Sequence, residues 1–264
     1  MVNCHIPENL DINEYTYKWR ERNSLKLQKA LLRIKAIEDK NPGYTGSNAL
    51  LFANFLVNLT KTAKAISILS FKHLEAEIIT LSGTMIEGMA LMLYCLKNNK
   101  ADVYFDYLTI NGLSLEYGEA EAGAALNSNQ VEFYINMLKK LGHKYIKADK
   151  NYTEVIEFLK SEENSYADKI KVLKDSYKKF PKHSVKYLVK EYTNQDIEKA
   201  VYEKYCHIKH HHLNNNVWYH EQKRWDKIFC PFDELNGISS ALDILNKLID
   251  KYDEMKKDGI ITEP

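Results

Sequence analysis

A chain of 264 residues with 45% hydrophobic side chains is long and apolar enough to bury a substantial core, and reads as globular. Thirty-seven basic against 36 acidic side chains leave a formal net charge of +1. That excludes a global field drawing the chain to nucleic acid or anionic lipid, while leaving room for a local basic patch. Arginine is confined to Arg20, Arg22, Arg33 and Arg224, so bidentate phosphate clamps are scarce.

Cys4, Cys95, Cys206 and Cys230 are scattered without a CxxC spacing, and Cys95 lies in an apolar helical run. Reduced, buried thiols and a cytoplasmic setting fit this usage. The N-terminus carries Glu8, Asp11 and Glu14 where a signal peptide is basic and then apolar. The apolar stretch from Met85 to Leu96 is interrupted by Glu87 and is shorter than the roughly 20 residues that cross a bilayer, so no membrane partner is expected. Eighteen tyrosines, three tryptophans and five prolines suit helices packed through large amphipathic side chains.

In chain order, Tyr15, Trp19, Leu25, Leu27, Leu31, Leu32, Ile34 and Ile37 recur mostly at three- and four-residue steps and predict a long helix over 12–40. Breakers at 41–46 end it, and Ser47 or Asn48 is positioned to cap a second helix running to about Ser70. Leu74, Ile78, Leu81, Met85, Met89, Met92 and Leu96 then define a helix that is apolar on several sides, hence central and packed all round. Helices are further predicted over 102–108, 129–141, 152–159, 167–177, 184–191, 194–212 and 232–257, with 111–127 as a loop with short helices. The fold class is all-α: a multi-helix bundle around the apolar helix at about 74–96. It forms one domain, with 1–46 packing on a core of 47–257 and a tail at 258–264.

Two features bear chemistry. Five of nine histidines fall between Tyr202 and Glu221: His207, His210, His211, His212 and His220. On a helix, Glu203, His207 and His211 lie one turn apart, with His210 three beyond His207, a spacing that offers zinc or iron ligands. The same imidazoles equally suit hydrogen bonding in a helix seam or solvent exposure. HExxH is absent, since His220-Glu221 is followed by Arg224 where the second histidine belongs. Glu87 is the second feature. A carboxylate inside an apolar helix needs a donor, and a histidine or lysine of the His-rich helix is the expected one, in a structural pair or an acid/base pair. Cys206 and His210, four apart, are the one Cys/His pair able to touch. No GxSxG elbow and no GxxxxGK[ST] phosphate loop occur.

Leu81-Ser82-Gly83-Thr84-Met85-Ile86-Glu87-Gly88 and Tyr202-Glu203-Lys204-Tyr205-Cys206-His207-Ile208-Lys209-His210 together resemble bacterial domain-of-unknown-function family 5677. The resemblance covers roughly 50–250. It implies an all-helical fold with an Arg-x-x-x-Glu step in the central helix and a Tyr-x-x-x-Ser-x-x-x-His step later. Glu87 and His210 take the family's glutamate and histidine, whereas Gly83 and Cys206 stand at its arginine and serine positions. A more distant likeness is to HEPN ribonucleases, found among toxins and phage-defence proteins, which act through Arg-x(4–6)-His. None of the four arginines has a histidine at that spacing, and Lys204 ahead of His210 and His211 is the nearest imitation.

Two functions from different classes follow. One is a helical interaction or sensor module in bacterial defence, with a protein partner or a second copy. The other is a HEPN-like ribonuclease or metal-dependent hydrolase. There His210 is acid/base or ligand, Glu87 its carboxylate partner, Lys204 the phosphate contact, and His207, His210 and His211 the ligands of a divalent metal such as zinc. RNA is a partner only in that second case. No organic cofactor is indicated.

Overall fold

The computed structural model of the chain describes residues 12–70, 74–108, 112, 136, 146–147, 149–176, 180–181, 183–193, 196–209 and 231–264. These are overwhelmingly helical, as expected of an all-α protein. The elements are α1 (Ile12–Glu38), β1 (Gly43–Tyr44), α2 (Ser47–Leu69), α3 (Glu75–Lys97), α4 (Tyr152–Lys160), α5 (Tyr166–Ser176), α6 (Val185–Tyr192), α7 (Asp196–Lys209), α8 (Pro231–Lys257) and β2 (Ile261–Thr262), with a further helical run at 101–108. Apart from position 136, which is helical, the helix expected over 129–141 lies outside the described residues, as does most of the 111–127 loop. The chain divides into two compact units, Met1–Asn98 with Val185–Pro264, and Asn99–Ser184.

In the first unit α3 is the centre, packed by α2, α6, α7 and α8. Small residues make that crowding feasible, because a helix lacking side-chain bulk lets neighbouring backbones approach. A Cβ at Gly88 would lie 3.0 Å from Leu59 of α2, and one at Gly237 of α8 would lie 2.7 Å from Ile78. The buried Ser82 hydroxyl donates across that crossing to the Gly237 carbonyl at 3.0 Å. Over Glu77–Lys97, α3 is long and apolar enough to cross a bilayer, a wider span than the Met85–Leu96 stretch expected from sequence. Its buried side includes Ile78, Ile79, Met85, Ile86, Met89, Ala90, Met92 and Cys95. Burial pushes the Cys95 thiol up to about 12, so it remains a protonated hydrophobe, as its apolar setting predicts.

α1 and α8 lie against each other, and α1 also meets α2. The buried seam of α1 is Leu27, Ala30, Ile34 and Ile37 with Asn23 and Ser24, at strict three- and four-residue steps. Trp19, Leu25 and Leu32, expected on that face, are instead exposed. Leu25 and Leu32 lie about 140–160° from the Leu27/Ile34 line, outside the arc one partner helix covers, whereas Trp19 shares the angle of Ile37 but stands two turns before Leu27. The second helix begins at Ser47 as expected, but its cap is Gly46 in the left-handed region at φ 81°, with no side-chain capping bond. Gly46 turns the chain out of β1 directly, so the capping role expected of Ser47 or Asn48 is not used.

The 258–264 segment is more than a tail. β2 pairs antiparallel with β1, Gly43 opposite Thr262 and Tyr44 opposite Ile261. Glu263 then accepts from Lys256 Nζ at 2.6 Å, Tyr252 OH at 2.9 Å and Lys40 Nζ at 3.2 Å. Lys256, then Tyr252 and Lys40, hold its carboxyl well below the ordinary range, at about 2. A depressed carboxylate contributes stability above its unfolded pKa and loses it as pH falls through the folded one. Wild type is therefore expected to exceed Glu263→Gln in urea midpoint by a constant margin above the ordinary carboxylate range. The margin closes as pH falls towards about 2; a pH-independent margin would refute this role.

The second unit is built on local caps. Asn151 accepts from the Thr153 amide at 3.0 Å to start α4, and the Asp168 amide donates to Ser165 Oγ at 3.2 Å to start α5. A cavity of about 390 Å³ opens between these helices, lined by Lys150, Glu154, Phe158, Asp168 and Lys171 among others. None of the candidate residues named from the sequence lines it.

Candidate functional site

The Glu87 neighbourhood is made where α7 crosses α3. Along α7, Glu198, Val201, Tyr202 and Tyr205 recur at three- and four-residue steps, and all four are buried. The close approach comes from Gly83: a Cβ there would collide with the Cβ, Cγ and Cδ1 of Tyr205. The space above position 83 is thus filled by a tyrosine ring from the opposite helix.

One turn along α3, half-buried Glu87 receives both tyrosines. Tyr202 OH donates to Oε1 and Tyr205 OH to Oε2, each at 3.4 Å, with the two rings 5.8 Å apart and tilted by 43°. Two donors to Glu87 come from the helix expected to supply them, and both are phenols. Burial first, then the Cys206 thiol and the Glu87 charge, drive the Tyr202 hydroxyl far above its ordinary value. It stays protonated at any physiological pH and so remains a donor. Cys206 is a half-buried free thiol beside Tyr202.

The other candidates are placed unevenly. Lys204 is half-buried on α7, and the backbone of His207 belongs to that helix. His210, His211, His212 and His220 lie outside the described residues. Among the described residues no three of His, Cys, Asp and Glu gather closely enough to hold a metal ion.

One cluster escaped the sequence. Glu198, 1% exposed, accepts from Lys247 Nζ at 2.9 Å, and the same ammonium lies 2.7 Å from Asp243 Oδ2. Burial raises the Glu198 carboxyl, Lys247 opposes that, and the Asp243 charge reinforces it. The Asp243/Lys247 step of four on α8 was visible. Its pairing with a glutamate 49 positions away was not.

The fold and this crossing define an all-α bundle whose central helix carries one carboxylate gripped by a neighbouring helix. Compared with protein-family profiles, curated proteins and solved structures, the chain matches none.

Proposed function

We propose that the chain is a helical interaction or sensor module, with α7 as its responsive element. The observation that carries this reading is the double phenol grip on Glu87. α7 leads straight into the His-rich segment, so protonation or a partner acting there pulls on a helix whose seating on α3 depends on two hydrogen bonds to one carboxylate. The likeness to family 5677 and to HEPN proteins adds a bacterial, cytoplasmic setting linked to antiviral defence. In this reading Tyr202→Phe/Tyr205→Phe speeds amide exchange along α7. Lowering the pH from about 8 to about 6, across the histidine range, changes that exchange in wild type. Amide exchange along α7 that ignores both the substitutions and the pH change would sink it.

A second reading rests on the same crossing, because the helix docked beside Glu87 is the one that bears Lys204 and His207. In a HEPN-like ribonuclease or metal-dependent hydrolase, His210 is the acid/base, Glu87 its partner, Lys204 the phosphate contact, and His207, His210 and His211 hold zinc. RNA cleavage abolished by His210→Ala, or stoichiometric zinc in purified protein, would favour this reading over the module. Intact RNA at high protein concentration is the outcome expected of the module.

A further inference from the structure

The outward face of α1 is used by neither reading. Three of the four arginines lie in this helix, which carries seven cations against three glutamates. Arg22, Lys26, Lys29 and Arg33 are all exposed, and none makes an ion pair among the described residues. At 3.6 residues per turn, these four project within about 60° of arc and span about 16 Å of the helix axis, with no acid between them on that line.

Like charge disfavours a second copy of this face as the occupant. A bilayer surface is disfavoured as well, because the continuous apolar arc of α1, Leu27, Ala30, Ile34 and Ile37, is buried in the protein. Exposed Leu25 and Leu32 are separated by two turns and form no strip that could insert between lipids. A narrow, near-linear row of cations that includes two guanidinium groups is complementary to a chain of phosphodiesters.

We propose that the Arg22, Lys26, Lys29, Arg33 ridge of α1 binds the phosphodiester backbone of a nucleic acid without reading its bases. This is the local basic patch that a net charge of +1 conceals. It is independent of whether Glu87 belongs to a sensor or an enzyme.

The test is fluorescence anisotropy of the full chain against labelled single-stranded RNA and duplex DNA, each longer than the ridge, over a salt series. Four phosphate contacts predict a log–log salt slope of roughly −3 to −4 and, on duplex, about 100-fold weaker binding at 200 than at 50 mM salt. The two probes distinguish which backbone is preferred. Replacing the four by alanine, a good helix former, is expected to flatten the slope towards zero with far-UV circular dichroism unchanged. Arg22→Gln/Arg33→Gln, a milder change, is expected to reduce the slope by roughly 2. No binding to either probe at low salt, equal slopes in wild type and variants, or binding only to phosphatidylserine vesicles would each overturn the proposal.

Discussion

Lys247→Met is expected to destabilise the protein by about 3 kcal/mol at neutral pH, as a lowered urea midpoint with unchanged slope. The substitution keeps most of the apolar stem but removes the ammonium that Glu198 and Asp243 share, leaving Glu198, 1% exposed, with a charge and no counter-ion. The figure is set at the low end of the range for breaking a buried pair because the lysine side chain is itself 31% exposed. The sign with pH follows from the direction of the Glu198 shift. Its carboxyl is raised in the folded state, so folding favours the protonated form, and the stability this contributes is complete below the unfolded carboxylate pKa and lost as pH rises. The penalty of Lys247→Met should therefore shrink on acidification through the carboxylate range. Adding Glu198→Gln to Lys247→Met is expected to recover most of the loss at neutral pH. Failure to recover would mean that lost packing of the lysine stem, not an unpaired charge, explains the single variant.

Gly83→Ala carries the second large effect and has an unusual sign structure. In an exposed helix the change stabilises by about 1 kcal/mol. Here the new methyl meets the base of the Tyr205 side chain, which cannot swing aside at its Cβ and Cγ. A net loss of about 2 kcal/mol is expected, as for overpacking of a tight core. Tyr205→Ala alone is expected to cost about 3 kcal/mol through the cavity it leaves. In the Tyr205→Ala background the penalty of Gly83→Ala should shrink without vanishing, because the ring is gone while the Cβ of residue 205, 2.5 Å from the new methyl, remains. A double-mutant cycle by urea denaturation reads this directly, and additive losses would mean that the α3–α7 crossing is looser than described.

How much of this was legible depends on the range of the interaction concerned. The runs that became α3 and α8 announced themselves through Leu, Ile and Met at three- and four-residue steps, a signal that needs only the helix's own geometry. Glu87 announced itself too, since a lone carboxylate among apolar neighbours demands a donor. Two of its donors went unread: histidine and lysine stood out by composition, whereas Tyr202 and Tyr205 looked like ordinary helical aromatics among eighteen tyrosines. Gly83 looked like a missing arginine and proved to be the floor under Tyr205. On α1, periodicity proposed a face that included Leu27, Ile34 and Ile37, which the packed seam took together with Ala30, but also Trp19, Leu25 and Leu32, which it left exposed.

The amino-acid order alone thus settled the helical class, the central place of α3 and the oddity of Glu87 within its apolar run, because each rests on spacing within about two turns of one helix. Which α7 residues grip Glu87, which glutamate meets Lys247 and which arc of α1 faces water were decided by how the helices cross. A crossing joins residues dozens to more than a hundred positions apart, such as Glu87 with Tyr202 and Glu198 with Lys247. No local spacing encodes that distance; it follows from where small residues such as Gly83 and Gly237 allow two backbones to close together.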